Sequence, residues 1–462
     1  MRIAIVGAGI GGLSAAVGLQ RTGAEVTVFE RAPEVRAGGS GLSIFANGLA
    51  ALDALGLRDE FDAVTDSSVE GFTAGQRRSD GRWIARVPNG SVGALRIVDR
   101  ADLHRILLDA LEPGTVRTGA EAVAARADGT LAFATGSADS AGPTAPDGPA
   151  GSTGPVGPSA PIGSTRSDHA VRTGGPLPTA EDRFDLIVGA DGLHSRIRTS
   201  VAGEAVAPRY SGYSAWRGIT SVPVDLDGEA GESVGHGRRF GIAPLADGRV
   251  YWFAVANMPE HASFADEKAT VEQMFSRWHS PIAELIDATD AEAVARTAIC
   301  DLSRPLRTYH DGRVVLLGDA AHAMTPNLGQ GGGQALEDAA TLSALLAPLL
   351  VHRGAGDGAE RASEPSSDLG AGAKSDTGHE PDADRQPDTD PELTAALRRF
   401  DAMRRPRTQS IAKKSRLMGQ LFQLENPLLA GLRDAAFAAV PGRLIAAQAA
   451  SVQKWSPPAP PR

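Results

Sequence analysis

A short apolar strand that runs into a glycine-rich turn constrains the fold of this chain most strongly. Residues 2–6 predict a buried strand, and the next six residues, Gly7 to Gly12, include four glycines. We expect Gly7 to give the tight turn, Gly9 to let the backbone approach a pyrophosphate, and Gly12 to let the next helix pack closely on the sheet. This pattern predicts a Rossmann-like unit that binds a dinucleotide.

The residues after this turn complete the same unit. A helix is predicted from Leu13 to about Arg21, and the run 25–29 predicts a second strand with Glu30 at its end. A carboxylate at that position can accept both hydroxyls of an adenosine ribose and disfavours a 2′-phosphate. A glycine-rich turn without a ligand is the alternative, but the strand, helix, second strand and terminal acid all have the expected spacing.

A second glycine motif lies about three hundred residues later. Gly318 and Asp319 follow an apolar strand, and Gly329 to Gly331 open another helix. An acid at a strand end, followed by a glycine-dense turn, suits a sugar-alcohol chain and an electron-rich ring oxygen, so the two motifs together indicate a flavin dinucleotide. Between them, a buried strand ends at Asp191, which either orients a cofactor or caps the next helix; its residue type alone favours capping.

Composition indicates a folded globular body with two inserts. The chain has 462 residues, 42% of them apolar, which suits two or three domains. Residues 354–392 hold 11 acidic and 3 basic side chains and supply −8 of the net charge of −10, so the rest is nearly neutral and no nucleic-acid partner is expected. Residues 137–182, rich in Gly, Pro and Ser, predict a flexible loop, and 354–392 predict a disordered acidic insert.

Several expectations concern assembly and location. Cys300 is the only cysteine, which excludes an internal disulfide or a metal–thiolate cluster within one chain, and no metal site is predicted. No leader segment and no bilayer-length apolar run is evident, so we expect a cytoplasmic protein without a transmembrane segment, as a monomer or homodimer. Residues 393–462 predict a helical C-terminal region, which we expect to pack on the core rather than on a membrane.

Together these motifs resemble the single-component (group A) FAD-dependent aromatic monooxygenases, the family that includes para-hydroxybenzoate and salicylate hydroxylases. The resemblance covers most of the chain outside the two inserts. It is carried by Gly7 to Gly12 with Glu30, by Asp191-Gly192, and by the segment from Gly318 to Gly331. The segments 210–218 and 326–333 are similar to the branch with urate, salicylate and zeaxanthin-modifying enzymes.

The resemblance implies an α/β fold in which an antiparallel-sheet substrate domain is inserted into a Rossmann-like FAD-binding domain. The FAD-binding domain would comprise residues 1–75, 96–205 and 300–353, and the substrate-binding domain residues 76–95 and 206–299. Alternating runs at 214–220, 240–244 and 249–256 predict the strands of that sheet. By the period-two rule, Tyr213, Ala215 and Arg217 share one side and Trp216 points to the other.

The resemblance also implies site residues. Those implied to hold FAD non-covalently are Gly7, Gly9, Gly11, Gly12, Glu30, Arg31, Arg100, Asp191, Asp319, Leu328, Gly329, Gln330, Gly331 and Gly332. Substrate-pocket candidates are Phe45, Tyr213, Arg217, Met324 and Pro326, with Trp252 or Phe253 as further aromatic walls. An ordinary sheet core with a solvated arginine remains an alternative for these residues. His322 is more readily explained as a structural histidine than as a catalytic one, and Gly333 stands where many relatives carry Asn.

The implied activity is a monooxygenase reaction. NADH or NADPH would reduce FAD, O2 would add to the reduced ring, and the flavin hydroperoxide would hydroxylate an aromatic or other electron-rich small molecule. No catalytic base is identified. Two alternatives remain: another FAD-dependent oxidoreductase (an oxidase, reductase or halogenase) on the same fold, and a non-catalytic nucleotide-binding protein.

Overall fold

The structure is a computed structural model that describes residues 1–35, 40–67, 71–87, 94–134, 180–360 and 390–459. Most of the loop predicted over 137–182 and most of the acidic insert predicted over 354–392 lie outside the described residues. In chain order the strands are β1 (Arg2–Val6), β2 (Glu25–Glu30), β3 (Gly41–Phe45), β4 (Ala74–Arg78), β5 (Trp83–Val87), β6 (Leu95–Asp99), β7 (Val116–Thr118), β8 (Ala122–Ala125), β9 (Thr130–Phe133), β10 (Glu181–Arg183), β11 (Leu186–Gly189), β12 (Pro208–Ile219), β13 (Gly231–Val234), β14 (Arg238–Pro244), β15 (Val250–Asn257), β16 (Ala295–Leu302), β17 (His310–Asp311) and β18 (Val314–Leu316).

The helices alternate with the strands in the first half of the chain and dominate its last third. They are α1 (Ile10–Arg21), α2 (Ala46–Ala54), α3 (Arg58–Asp62), α4 (Arg100–Asp109), α5 (Ile197–Ala202), α6 (Glu267–Phe275), α7 (Ile282–Asp287), α8 (Asp319–His322), α9 (Gly331–Glu360), α10 (Pro391–Phe422), α11 (Pro427–Ala439) and α12 (Gly442–Gln453).

A largely parallel sheet brings the three sequence motifs together. Its strand order in the described chain is β17-β18-β11-β1-β2-β7, with β1 parallel to both β2 and β11, and β11 parallel to β18. The carboxyl ends of parallel strands lie at one edge of a sheet, where ligands of such folds bind. The segments after β1, β11 and β18 are the turns with Gly7, Asp191 and Asp319, which confirms the predicted α/β, Rossmann-like fold.

A second sheet, mainly antiparallel, has two different faces. Its order is β16-β12-β15-β14-β13-β4-β5, and only β13 and β4 pair in parallel among its bonded neighbours. One face packs Trp216, Phe240 and Trp252 against α6 and α7. The other carries Arg217 and Phe253, which are directly paired between β12 and β15.

The predicted side assignment for β12 is therefore correct, but Trp252 was wrongly expected to line a substrate pocket. Trp252 is fully buried on the opposite face, stacks on Phe240 and donates from Nε1 to Thr289 at 2.8 Å. The domain boundaries given above stay a prediction. Strands β9 and β10, which lie on either side of most of the residues predicted as a loop, pair antiparallel.

Helix α11 contacts the rest of the protein partly through charged side chains. On α11, Arg433 and Asp434 are buried and bond to each other at 2.8 Å, and the Arg433 guanidinium also donates to the carbonyls of Leu421 and Phe422 at the end of α10. Leu428 and Leu432 instead face outward, 84% and 68% exposed. Apolar packing is present as well, since Phe437 of α11 stacks on Phe422 at the end of α10, and the Arg433 contacts add a polar cap to α10. Among the described helices, none combines the length and apolarity needed to cross a bilayer.

A buried set of charges joins α9 to α10. Arg404 of α10, 1% exposed, forms ion pairs with Glu337 and Asp338, two adjacent acids of α9 that are completely buried. Arg407 adds a second cation to Glu337 at 2.7 Å. Charges without contact to water need such partners, because an unpaired buried ion costs several kcal/mol.

Replacing Arg404 by Met should destabilise the fold by about 3–5 kcal/mol, because two buried carboxylates lose their shared counter-charge. Arg399→Met is the matched control on an exposed position of the same helix and should change the stability by no more than about 0.5 kcal/mol. Urea unfolding of the two variants measures both values. Equal free energies of unfolding for the two variants would show that the Arg404 ion pairs do not stabilise the fold.

Candidate cofactor and substrate site

The glycines of the first turn serve different physical purposes. Gly7 has a φ of +104°, which favours glycine, and a Cβ on Gly12 would overlap the carbonyl oxygen of Gly7. Gly12 is therefore required where α1 packs on β1. A Cβ on Gly9, by contrast, would meet nothing within 4 Å. Gly9 is not needed for packing, and it borders open space at the carboxyl end of β1.

Glu30 and His104 hold the backbone of this turn from two sides. The Glu30 carboxylate accepts from the amides of Ala8 and Ala32, each at 2.9 Å. The His104 ring on α4 bonds through Nε2 to the Ala8 carbonyl at 2.9 Å. Burial lowers the pKa of His104, and the positive charge of Arg100 lowers it further against the opposing effects of the Ala8 bond and Glu30. The neutral ring therefore donates to Ala8. Ribose binding by Glu30 stays a prediction.

The Asp191 carboxylate caps the following helix. It accepts from the Ser195 hydroxyl at 2.6 Å and from the amides of Arg196 and Ile197 at 2.7 and 3.1 Å. Capping, the assignment that residue type favoured, is thus what the structure shows for this side chain. Its predicted contact with a cofactor is not tested by these bonds.

Sequence reasoning missed Arg198, which ties the second motif to the third. This guanidinium is 2% exposed and donates to the carbonyls of Gly192, Leu193 and Ala320 at 3.0, 2.7 and 2.8 Å. It also reaches the Asp319 carbonyl at 3.3 Å. The sequence showed only a cation in the first turn of the helix after Asp191-Gly192. Such a local pattern does not reveal that the cation bonds to carbonyls more than a hundred residues away along the chain.

Asp319 lies in the open space at the carboxyl ends of β1, β11 and β18, which we call the cofactor cleft. Its side chain is exposed to the cleft although protein surrounds the cleft on most sides. Desolvation by this surrounding protein raises the pKa of the carboxyl, and the positive field of His322, Arg100 and Arg198 opposes the rise. Arg100 is therefore near enough to act on Asp319. Arg31 and Arg100 both have exposed side chains.

The third motif forms the far wall of the cleft. A short 3-10 turn over Pro326–Leu328 ends at Gly329, whose φ is +61°. A Cβ on Gly329 would come within 3.0 Å of the Phe45 ring, and one on Gly331 would meet nothing within 4 Å. Pro326 is exposed, and Met324, Leu328 and Gly332 are partly so. Their predicted contacts with a cofactor or substrate stay a prediction.

Asn327 connects this wall to the second sheet and to α10. Its Nδ2 group lies 3.0 Å from the Tyr213 hydroxyl and 2.9 Å from the Ser415 carbonyl. Its Oδ1 accepts from Arg239, a 2% exposed arginine of β14, at 2.6 Å. Tyr213 is thus a buried support of the wall, packed with Ala215, Val255 and Ile299. Arg239 was not singled out from the sequence.

Arg217 lies on the same face of the sheet, farther along β12. It is half-buried and lies close to the hydroxyl of Tyr251, and the described chain gives it no carboxylate partner. Burial raises the pKa of Tyr251, while the nearby Arg217 charge opposes the rise. Around them is an apolar wall made by Leu95, Ile97, Ile219, Ala243, Leu245 and Phe253. A half-buried cation beside an apolar wall suits an anionic, largely apolar ligand.

His322 and Gly333 lie behind the wall rather than in the cleft. His322 is 4% exposed and bonds through Nε2 to Asp338 at 2.6 Å, which confirms a structural role. A Cβ on Gly333 would come within 3.1 Å of Asn47 Nδ2. Asn47, a fully buried residue of α2, therefore occupies the space beside Gly333, and it too was missed in the sequence.

The cleft has what a flavin dinucleotide requires. Gly9 and Gly331 leave room on opposite walls, and each precedes or opens a helix whose N-terminal amides favour negative charge. Asp319 supplies an acceptor between them. Among the described residues, no group of His, Cys, Asp and Glu side chains could hold a metal ion.

Comparisons with known proteins agree with this site. Residues 177–370 match the FAD binding domain family, and residues 5–54 match the NAD(P)-binding Rossmann-like domain family. The chain is 32% identical to the aurachin C monooxygenase/isomerase of Stigmatella aurantiaca over 94% of this chain and 93% of that protein. It is 31% identical to the 3-amino-4-hydroxybenzoate 2-monooxygenase of Streptomyces cremeus, over 92% and 88%.

A solved structure extends the likeness to three dimensions. Klebsiella pneumoniae HpxO complexed with FAD and uric acid superposes with a TM-score of 0.71 at 25% identity, covering 98% of this chain and 96% of that one. The chain belongs to the family of FAD-dependent aromatic monooxygenases. It is therefore a flavoenzyme, and the FAD expected from the glycine motifs is its cofactor.

Gly9 and Gly12 provide a test of the cleft. Gly12→Ala should destabilise the apoprotein by about 1–3 kcal/mol, because the added methyl group collides with the Gly7 carbonyl. Gly9→Ala should leave apoprotein stability within about 0.5 kcal/mol, yet weaken FAD binding at least tenfold, because its methyl group enters the cleft. Urea unfolding and FAD fluorescence titration measure the two effects. Parent-like FAD affinity in Gly9→Ala would place the pyrophosphate elsewhere.

Proposed function

We propose that this monooxygenase uses NADH or NADPH and O2 to hydroxylate an aromatic small molecule that carries an anionic group. The observation that carries the proposal is Arg217, a half-buried guanidinium without a carboxylate partner in the described chain, on the sheet face that supports the wall of the cofactor cleft. The relatives support an aromatic substrate: one is named for 3-amino-4-hydroxybenzoate, and one solved structure contains uric acid.

Roles follow from where each residue lies. For FAD we propose contacts with Gly7, Gly9, Gly11, Gly12, Glu30, Arg31, Arg100, Asp191, Asp319, Leu328, Gly329, Gln330, Gly331 and Gly332. Bound FAD supplies electron transfer from the nicotinamide and the activation of oxygen. The backbone amides at the N-terminus of α9 would stabilise negative charge on the ring.

The substrate would lie between this wall and the second sheet. Arg217 would pair with its anionic group, and Phe253 with Ile219 would contact its ring. Phe45, Met324 and Pro326 would border it from the cofactor side. This apolar wall would exclude water from the site and so limit side reactions. A monomer or homodimer and a cytoplasmic location stay predictions from the sequence.

The test is oxygen transfer with isotopically labelled O2. Aromatic acids should accelerate NADH or NADPH oxidation by the FAD-loaded enzyme, and one labelled oxygen atom should appear in the product. Arg217→Met should raise the KM for an anionic substrate about tenfold to a hundredfold, because a charge-assisted hydrogen bond is lost, and change the KM for its neutral amide little.

Arg238→Met is the matched control. Arg238 is an exposed arginine of the same sheet, and its guanidinium donates to the Met274 carbonyl. Its KM values should match those of the parent. Hydrogen peroxide as the sole product, with every aromatic acid tried, would indicate an oxidase instead. Parent-like KM values in Arg217→Met would remove Arg217 from the substrate site.

A further inference from the structure

Gln330 is the residue before α9, and hydrogen bonds from neighbouring buried residues fix the orientation of its side chain. It is 3% exposed. Its Oε1 accepts from Asn47 Nδ2 at 3.0 Å and from Gln334 Nε2 at 3.3 Å. Both donors lie on the protein side of the wall, so the oxygen of this amide is turned inward.

This orientation is determined by charged side chains that can act only as hydrogen-bond donors or only as acceptors. A carboxylate only accepts hydrogen bonds and a guanidinium only donates them. Glu337 accepts from Asn47 Nδ2 at 2.6 Å and from Gln334 Nε2 at 2.8 Å, and Gln334 Oε1 accepts from Arg404 at 2.8 Å. If the Asn47 or Gln334 amide rotated by 180°, its oxygen would face the Glu337 carboxylate, and the Gln334 NH2 group would also face the Arg404 guanidinium. Asn47 and Gln334 therefore both present NH2 groups to Gln330, and the side-chain oxygen of Gln330 accepts from them.

The NH2 group of Gln330 is consequently the end left for the cleft. Nε2 makes no hydrogen bond within the described chain, and it is not among the polar atoms that are both enclosed and unpaired. It therefore keeps contact with open space. The adjacent Gly331, on which a Cβ would meet nothing within 4 Å, borders the cofactor cleft, which is the open space next to this amide along the chain.

We propose that the Gln330 side-chain amide donates a hydrogen bond to an electron-rich atom of the bound flavin ring, and that Asn47, Gln334 and Glu337 are positioning residues that fix this donor. The proposal rests on FAD occupying the cleft. A donor aimed at the ring stabilises the reduced, electron-rich form more than the oxidised form. The buried ion pairs of α9 thereby bear on the reduction potential of the flavin.

Gln330→Glu is the direct test. Its carboxylate can still accept from Asn47 and Gln334, but it presents an acceptor to the cleft in place of a donor. The ratio of FAD affinities between reduced and oxidised states should fall at least tenfold, which lowers the midpoint potential of the two-electron couple by ~30 mV or more. Spectroelectrochemical titration of the FAD-loaded protein measures it.

Asn47→Asp tests the positioning role without touching the cleft. The carboxyl oxygen that replaces Nδ2 carries at most one proton, and the neighbouring Glu337 carboxylate takes it, so Gln330 Oε1 loses one of its two donors and keeps only the bond from Gln334. The Gln330 NH2 group is then held less firmly towards the cleft, and the potential should fall in the same direction. Arg407→Gln is the matched control. Arg407 contacts the same Glu337 carboxylate but neither amide, and its loss should leave the potential at the parent value.

Unchanged potentials in both Gln330→Glu and Asn47→Asp would overturn the proposal, as would a parent protein that binds no FAD. If Asn47→Asp does not fold, because its charge lies beside Glu337, Gln330→Glu alone decides. The readout needs neither an aromatic substrate nor oxygen. A parent enzyme that shows the potential shift but never oxygenates an aromatic acid would therefore refute the proposed function and leave this inference standing.

Discussion

The pairing of Arg404 with Glu337 and Asp338 is the interaction on which the cofactor site depends. The two acids are adjacent in α9, yet they act on different parts of the wall: Asp338 accepts from the amide of Gly318 at 2.8 Å, and Glu337 fixes Asn47. His322 and Arg404 hold the pKa of Asp338 at about 2 despite its burial, so it remains ionised. Buried ion pairs of this kind contribute orientation more than net stability. Both glycine turns of the third motif are thus anchored to charges outside the cleft.

The first motif could be predicted almost completely because its constraints are local. The turn at Gly7, the helix packing at Gly12 and the acid at Glu30 all follow from spacing within thirty residues. Arg198, Asn47 and Arg404 could not be predicted in this way. Their partners lie 122, 290 and 67 residues away along the chain, and no local pattern reports such contacts. The resemblance to a known family supplied the cofactor, but not these supports.

The second sheet shows where period-two reasoning is sufficient and where it fails. Alternation placed Tyr213 and Arg217 opposite Trp216 correctly, because all three lie on one strand. It could not relate β15 to β12, so the choice between Trp252 and Phe253 stayed open in the sequence; the register pairs Phe253, not Trp252, with Arg217. On α11, an apolar pattern does not reveal that Arg433 caps the preceding helix.

The positions of the glycine motifs imply that one flavin is held jointly by the first turn and by the wall that precedes α9. Hydrogen–deuterium exchange of the apoprotein, with and without FAD, is the measurement that decides this. FAD should slow exchange in both residues 7–12 and residues 318–333, with α11 unchanged. Protection confined to one of the two segments, or found mainly elsewhere, would contradict it.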